Sequence, residues 1–429
     1  MFGCSEHWIG KRFSHALTAF LTEEQRRREL RSHDAVDASA VEERNEAWRA
    51  LRASAVELGR AADAFALADT VLPDATAASP TTAGASNDAG TGGNPDFAWT
   101  STTAPVPLGR THIVPSNAQT VIQGLLDPTR ASLFAVDSGD VLVYENTWTH
   151  FLNRLQPGVS ADELTALRKS VAGRGVHSII GPIAVNGARP GDVLQLRMLR
   201  LETIGFGANF HNPGALQTGA LPDEFTHGHV HYFTLSPEQH YVEFSDRIRL
   251  EMKPFQGTIG VAPAGDEPVS SVAPGKFGGN IDLKELTAGS SLFVPVQQPG
   301  ALIYTGDSHA LQGDGEVNIT AIETAMREVR LQVILHQNAG WSWPFAETPT
   351  HWIALGTDPS LNEALRIALR GTIDFLHAKA GLSRDEAYSL ASLGVDFRVT
   401  QMVDVNNGVH AMIPKSIFAE DYRKTIALA

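Results

Sequence analysis

Three stretches of this chain alternate apolar and polar side chains with a period of two: Val193-Leu194-Gln195-Leu196-Arg197-Met198, Arg247 to Met252, and Val329 to Leu335. Successive side chains on a strand point to opposite faces, so this pattern suits a strand with one face buried and one wet. It predicts antiparallel sheet with a single buried side. Asp140 to Thr147 and Ser178 to Val185 read as further strands, the second broken by Gly181-Pro182. Strands punctuated by Gly/Pro turns argue for a sandwich or barrel. The period then changes. Asp358-Pro359 reads as an N-cap followed by proline, opening a helix over Leu361 to Lys379 with Leu361, Leu365, Leu369, Thr372 and Leu376 along one stripe. Gly381 ends it, and Ser383-Arg384-Asp385-Glu386 is a capping box for a second helix, stopped by Gly394. Val395 to Val405 returns to strand. The expected fold is β-rich α+β: an antiparallel β-sandwich with a C-terminal helical hairpin.

The chain has 429 residues, more than one small core requires. Residues 1–71 read as a charged helical extension with a narrow, loosely periodic apolar face. Residues 72–103 hold Ala/Ser/Thr/Gly-rich runs that cannot build a core and read as a disordered linker. The folded body is expected over 104–429. The net charge of −14 makes nucleic acid and anionic membranes poor partners. No apolar run approaches the roughly 20 residues that span a bilayer. The patch Ala16 to Leu21 runs straight into Glu23 and lacks the form of a secretory signal. The single cysteine, Cys4, allows no intrachain disulfide. A cytoplasmic protein is the expectation.

Between Ala301–Tyr304 and Val317–Ile322 lies Gly306-Asp307-Ser308-His309-Ala310-Leu311-Gln312-Gly313-Asp314-Gly315-Glu316. It reads as strand, Gly-rich polar loop and strand. Gly306, Gly313 and Gly315 permit positive φ, which lets polar side chains converge. Asp307 and His309, two apart in extended chain, would face the same way. Such a pair suits a divalent metal or acid–base work. The structural alternative is a turn whose Asp residues only cap backbone N–H groups.

Several segments, in order, give the chain a wider likeness. They are Gly181-Pro182-Ile183-Ala184-Val185-Asn186-Gly187-Ala188-Arg189-Pro190-Gly191-Asp192-Val193-Leu194, then Pro254-Phe255-Gln256-Gly257-Thr258-Ile259-Gly260-Val261-Ala262-Pro263, then Gly278-Gly279-Asn280-Ile281-Asp282. The polar loop follows, with Glu323 downstream, and then Ala387 to Ser392 and Gln401 to Asp404. Together they resemble the acetamidase/formamidase family over roughly Ala104 to Ile417. The resemblance implies a hydrolase that cleaves the C–N bond of short linear amides to carboxylate and ammonia. It also implies a jelly-roll-like sandwich with added α/β segments, assembled as a homo-oligomer. It implies nothing for the first hundred residues.

Amide hydrolysis needs a nucleophile, a stabilised oxyanion and a proton for nitrogen. Cys4 lies in the extension, and Ser308 lacks a strand-turn-helix elbow. Water activated by a metal or a carboxylate is the simplest route. His309 and Asp307 are the leading metal ligands, with Asp282 and His177 as further ligands and Glu316 or Glu145 as carboxylate help. An N/O set favours zinc without excluding other divalent ions. Asn280 is a candidate for substrate or oxyanion, and Gln312 for the substrate amide. Each has a bland counterpart: a turn residue, a loop brace, a solvated strand end for Glu145, a core histidine for His177. His227-Gly228-His229-Val230-His231 cannot all share one ion, since His227 and His231 would sit about 13 Å apart in a strand. At most His229 and His231 chelate together. Trp341, Trp343 and Phe345 either wall an acyl pocket or belong to the core. Two competing readings are a non-catalytic ligand-binding sandwich and a hydrolase of another C–N or ester bond. Catalysis requires Asp307, His309, Asn280 and Asp282 to converge on one small cavity, whereas a binding module tolerates them apart.

Overall fold

The computed structural model describes residues 106–236, 239–423 and 426, all within a unit spanning Thr91–Ala429. The helical extension expected over 1–71 and the linker over 72–103 lie outside the described residues. No helix among the described residues is long and apolar enough to cross a membrane.

The body is strand-rich, with its two longest helices late in the chain, a β-rich α+β fold. One nine-stranded sheet runs Thr111–Pro115, Val141–Glu145, Met326–His336, Val193–Thr203, Ser291–Pro295, Phe345–Glu347, His351–Asp358, Asn407–Pro414, Asp396–Gln401. Its neighbours are antiparallel except Thr111–Pro115 on Val141–Glu145. A second sheet runs Gly278–Asn280, Phe255–Val261, Ile303–His309, Glu323–Thr324, Phe206–His211, His229–Thr234. Ser178–Val185 joins it on Ile303–His309 and carries two short strands of its own.

Leu142, Leu196, Met198 and Leu331 of the first sheet share one buried cluster with Ile183, Phe255, Ile259 and Ile303 of the second. Two sheets interdigitating this way form a sandwich core. The expected single buried side does not hold for the first sheet. Gln195, a polar member of the alternating run, is also buried, donating to Ser291 Oγ at 3.0 Å, with His336 Nε2 3.0 Å from its Oε1. The reason is a second core on the outer face. There Val193, Phe293, Trp341, Phe345 and Trp352 pack with the helix Leu361–Lys379. Trp341 and Phe345 are therefore core residues and not pocket walls, and Trp343 carries Lys276 over its ring at 5.4 Å.

The buried stripe of Leu361–Lys379 also differs from the expected one. Ala364, Ala368, Thr372, Phe375 and Leu376 are buried, whereas Leu365 is 39% exposed. The helix lies so close to His351–Asp358 that a Cβ at Gly356 would meet Ala364 O at 2.2 Å. Only small side chains fit that seam, so Ala364 and Ala368 take it and Leu365 turns outward, while Thr372 and Leu376 of the expected stripe are buried. Ser360 is the N-cap; Asp358 Oδ1 accepts its N–H at 2.8 Å instead of capping the helix. The Ser383–Glu386 capping box is present at the head of Arg384–Gly394.

Candidate functional site

All seven residues of Ile303–His309 are buried, and the strand ends in Asp307-Ser308-His309. Across the ladder His309 faces Glu323 directly, so register alone sets an imidazole beside a carboxylate. On the other side the pairing with Phe255–Val261 runs Ser308↔Gln256 and Thr258↔Gly306, leaving Gly257 opposite Asp307 outside the regular register. Asp307 takes φ 58°, a left-handed backbone that only surrounding structure sustains. Asp282 (φ 49°) and Glu316 (φ 47°) do the same. Non-glycine residues in this region each cost about 1–3 kcal/mol, and such costs collect at functional sites.

His150 arrives from a tight turn in which Phe151, Leu152 and Asn153 all have positive φ. Ser178 pins that turn: its Oγ donates to Thr149 O at 2.6 Å and accepts from Leu152 N at 3.0 Å. His177 precedes Ser178–Val185, with Nδ1 2.7 Å from Ser271 Oγ.

These segments bring four donor atoms together. His309 Nε2 lies 3.3 Å from Asp307 Oδ1 and 3.2 Å from Glu323 Oε2. His150 Nε2 lies 3.6 and 3.4 Å from the same two oxygens. His177 Nε2 is 3.8 Å from Asp307 Oδ2. Asp307 Oδ1 and Glu323 Oε2 are buried and have no hydrogen-bond partner among the described residues. A tetrahedral zinc ion with its usual bond lengths has ligand-to-ligand edges of about 3.4 Å. Two imidazole nitrogens and two orphaned carboxylate oxygens at this spacing fit a divalent cation. The buried groupings His150/His177/Asp307 and Asp307/His309/Glu323 are thus able to hold a metal ion.

A second buried grouping, Asp282/His309/Glu316, adjoins the first through His309. Gln312 links them: its Oε1 is 3.1 Å from His309 Nδ1, and its Nε2 donates to Asp282 O at 2.9 Å. That arrangement places the His309 proton on Nδ1 and turns Nε2 toward Asp307 and Glu323. Burial works against charge on His309, yet Glu323 and Asp307 hold its pKa well above the usual histidine range. Burial likewise opposes an Asp307 carboxylate, but His177, His309 and His150 hold it far below the usual range. Asp282 and Glu316 go the other way. Burial, then repulsion from neighbouring carboxylates, pushes both well above it. Asp404, brought in by the Met402–Asn406 turn, is pushed by burial up to about 7. Such a field attracts positive charge.

His150, His177, Asp307, His309, Glu316 and Glu323 line one cavity of about 20 Å³, close to the room one water needs. Asn280 and Arg168 line it too. Thr258 Oγ1 sits 2.7 Å from Asn280 Oδ1 and 3.2 Å from Asp307 Oδ2. Asn280 therefore has its amide N–H2 to offer. Behind Glu316 and Thr320 lies a separate pocket of about 250 Å³, walled by Phe233, Leu250, Leu311 and Ile322.

The structure brings together seven of the eight site residues expected from sequence: Asp307, His309, Asp282, Asn280, Glu316, His177 and Gln312. It does not bring Glu145 there. That residue ends Val141–Glu145 in the other sheet, opposite Glu328, and is absent from the cavity lining. Its side chain belongs to a strand end in a different layer. His229 and His231 lie in the His229–Thr234 strand, where His231 stacks on Phe233 at 4.3 Å. Neither belongs to a grouping able to hold a metal among the described residues. The sequence reading missed His150, Arg168 and Asp404 and gave Glu323 no role. The one signal for His150 is its place just after the strand expected over Asp140 to Thr147.

The acetamidase/formamidase family model matches residues 128–267 and 264–420. The chain belongs to the acetamidase/formamidase family. It is 29% identical over 199 residues to an acetamidase from Mycolicibacterium smegmatis, covering 33% of this chain and 49% of that protein, so the match spans about half of that relative. It is 25% identical over 324 residues to a formamidase from Methylophilus methylotrophus, covering 58% and 78%. Among solved structures, an acetamidase from Bacillus halodurans superposes with TM-score 0.65 at 29% identity, covering 72% of this chain and 98% of that one. A predicted acetamidase/formamidase from Thermoanaerobacter tengcongensis gives TM-score 0.65 at 27% identity, covering 73% and 98%. Among the expected site residues, all except Glu145 and His177 fall between 280 and 316, inside the second matched segment.

Proposed function

We propose that this family member hydrolyses the C–N bond of short linear amides to carboxylate and ammonia. The observation that carries the proposal is the convergence of His150, His309, Asp307 and Glu323 on orphaned carboxylate oxygens beside a cavity of about 20 Å³. His150, His309, Asp307 and Glu323 would hold a divalent ion, zinc by the chemistry of the donors, with His177 at the rim. When bound, such an ion supplies a Lewis acid for the carbonyl and lowers the pKa of a water.

The chain's own groups do the rest. Thr258 fixes Asn280 so that its N–H2 can orient the substrate carbonyl. Glu316, on the same cavity, is the carboxyl group placed to pass a proton to the leaving nitrogen. Gln312 is spent on His309 and the Asp282 carbonyl, so its part is to orient a ligand and not to bind substrate. Gln312→Leu should weaken metal binding about 10–100-fold, as removal of ligand-orienting hydrogen bonds does. Competition against a chelating dye measures it, and unchanged affinity would remove Gln312 from the scheme. The same reading carries a jelly-roll-like topology and a homo-oligomeric state, which rest on family likeness, and a cytoplasmic location, which rests on the single cysteine, Cys4.

Ammonia release over a panel of amides, with metal analysis before and after chelation, tests the reaction. Formamide and acetamide should be the best substrates, in line with the acetamidase and formamidase that the chain resembles. Each further methylene should lower kcat/KM by about tenfold or more. No ammonia from any amide would leave a binding protein on a hydrolase fold.

A further inference from the structure

The catalytic cavity is rich in carboxylates: Asp307, Glu316, Glu323 and Asp404 all line it. Of the described residues on that lining, Arg168 alone brings a lysine or arginine charge. Its place is set by the helix Ala161–Ser170. Ser160 and Glu163 form a capping box at the head of that helix. Leu164 and Leu167 bury beside Phe151, Val176 and Phe210. Phe151 and Val176 are the chain neighbours of His150 and His177. One apolar cluster thus anchors the helix, both histidine-bearing segments and the position next to Leu167.

Arg168 is half-buried, yet no carboxylate oxygen lies within 4.0 Å of its guanidinium among the described ion pairs. A guanidinium in a partly desolvated wall usually takes a carboxylate partner in a bidentate fork. Here Asp404 acts on it without a direct ion pair among the described residues. It favours the charge on Arg168 against the cost of burial. Among the described ion pairs no carboxylate occupies the Arg168 donors, and they remain for what enters the cavity.

We propose that Arg168 is a catalytic residue that binds the substrate carbonyl oxygen and stabilises the oxyanion formed on it. The inference rests on the hydrolase reading above and adds a residue to it. Water adds to the carbonyl carbon: a C–O bond forms, and the C=O π pair moves onto oxygen, where the guanidinium N–H groups meet it. The pair then returns as C–N breaks, nitrogen takes a proton, and carboxylate and ammonia leave. A fixed cation aimed at the developing charge acts on the transition state more than on the neutral amide, so kcat is where it should show.

The test uses the full-length protein, metal-loaded, with acetamide. Arg168→Met should lower kcat about 100- to 1000-fold with a smaller change in KM, the scale for loss of an oxyanion donor. Arg168→Lys should fall between the two, since ammonium keeps charge but loses the fork. Arg168→Ala should regain part of its kcat in millimolar guanidinium, a response that a helix-packing role would not produce. Circular dichroism confirms that each variant is folded. A kcat for Arg168→Met within threefold of the parent overturns the proposal. So does a loss, in a folded variant, that guanidinium fails to lift. An unsubstituted protein that releases no ammonia from any amide overturns the hydrolase reading itself, and this proposal with it.

Discussion

Asp307→Ala is expected to abolish the bound metal and lower amide-hydrolysis kcat/KM by about 1000-fold or more, the combined scale of a lost metal and its activated water. Asp307 is the hub of the donor set. Its Oδ1 faces His309 Nε2 and His150 Nε2, and its Oδ2 faces His177 Nε2 and Thr258 Oγ1. Removing it leaves three imidazoles with one orphaned carboxylate between them. Asp307→Asn is the sharper variant, because it keeps size while dropping the charge. Metal content by mass spectrometry and ammonia release should fall together. A folded Asp307→Asn protein that keeps full metal and full rate would end the assignment of this cluster as the catalytic centre.

The second large effect belongs to a residue with no side chain. A Cβ at Gly257 would lie 2.5 Å from Asp282 Oδ1, 2.6 Å from His309 Cε1 and 2.7 Å from Asp307 Oδ2. The two carboxylates and the imidazole fill the volume that any other residue would occupy. Gly257→Ala must displace at least one of them by several tenths of an ångström. A misplacement near 1 Å at a reacting centre costs about 100-fold in rate. The loss should come with the strand pairing intact, since Gly257 has no left-handed φ to defend. Circular dichroism should match the parent while kcat/KM drops about 100-fold. Full activity in Gly257→Ala would mean the cluster tolerates movement that its packing denies.

The strands were legible because period-two alternation is local; Asp307 and His309 were legible as residue types, but Asp307 meets the site through a left-handed backbone and not through the extended chain expected of it. What the sequence could not carry was register and layer. Glu323 meets His309 because the chain leaves the ladder after His309 and returns in antiparallel register, a relation fixed by thirteen intervening residues and no local signal. His150 points inward because three successive residues adopt left-handed backbone, none of them glycine. Glu145 looked like a candidate for the opposite reason. A carboxylate at a strand end reads the same whichever sheet it joins, and this one joins the sheet away from the cavity. The helix over Leu361–Lys379 shows a related limit. Its leucine stripe is a sound local reading, but the closeness of the strand at Gly356 decides that alanines face inward.

The wall around the cavity is drawn from residues 150, 168, 177, 280, 307–323 and 404, so it is gathered from nearly the whole described body. A partly assembled chain owns none of it in usable form. Cation capture should therefore mark completion of folding, arriving after the bulk of the secondary structure and never ahead of it. By the same token, a single proteolytic nick that lets either flank drift apart should silence the protein long before it unravels.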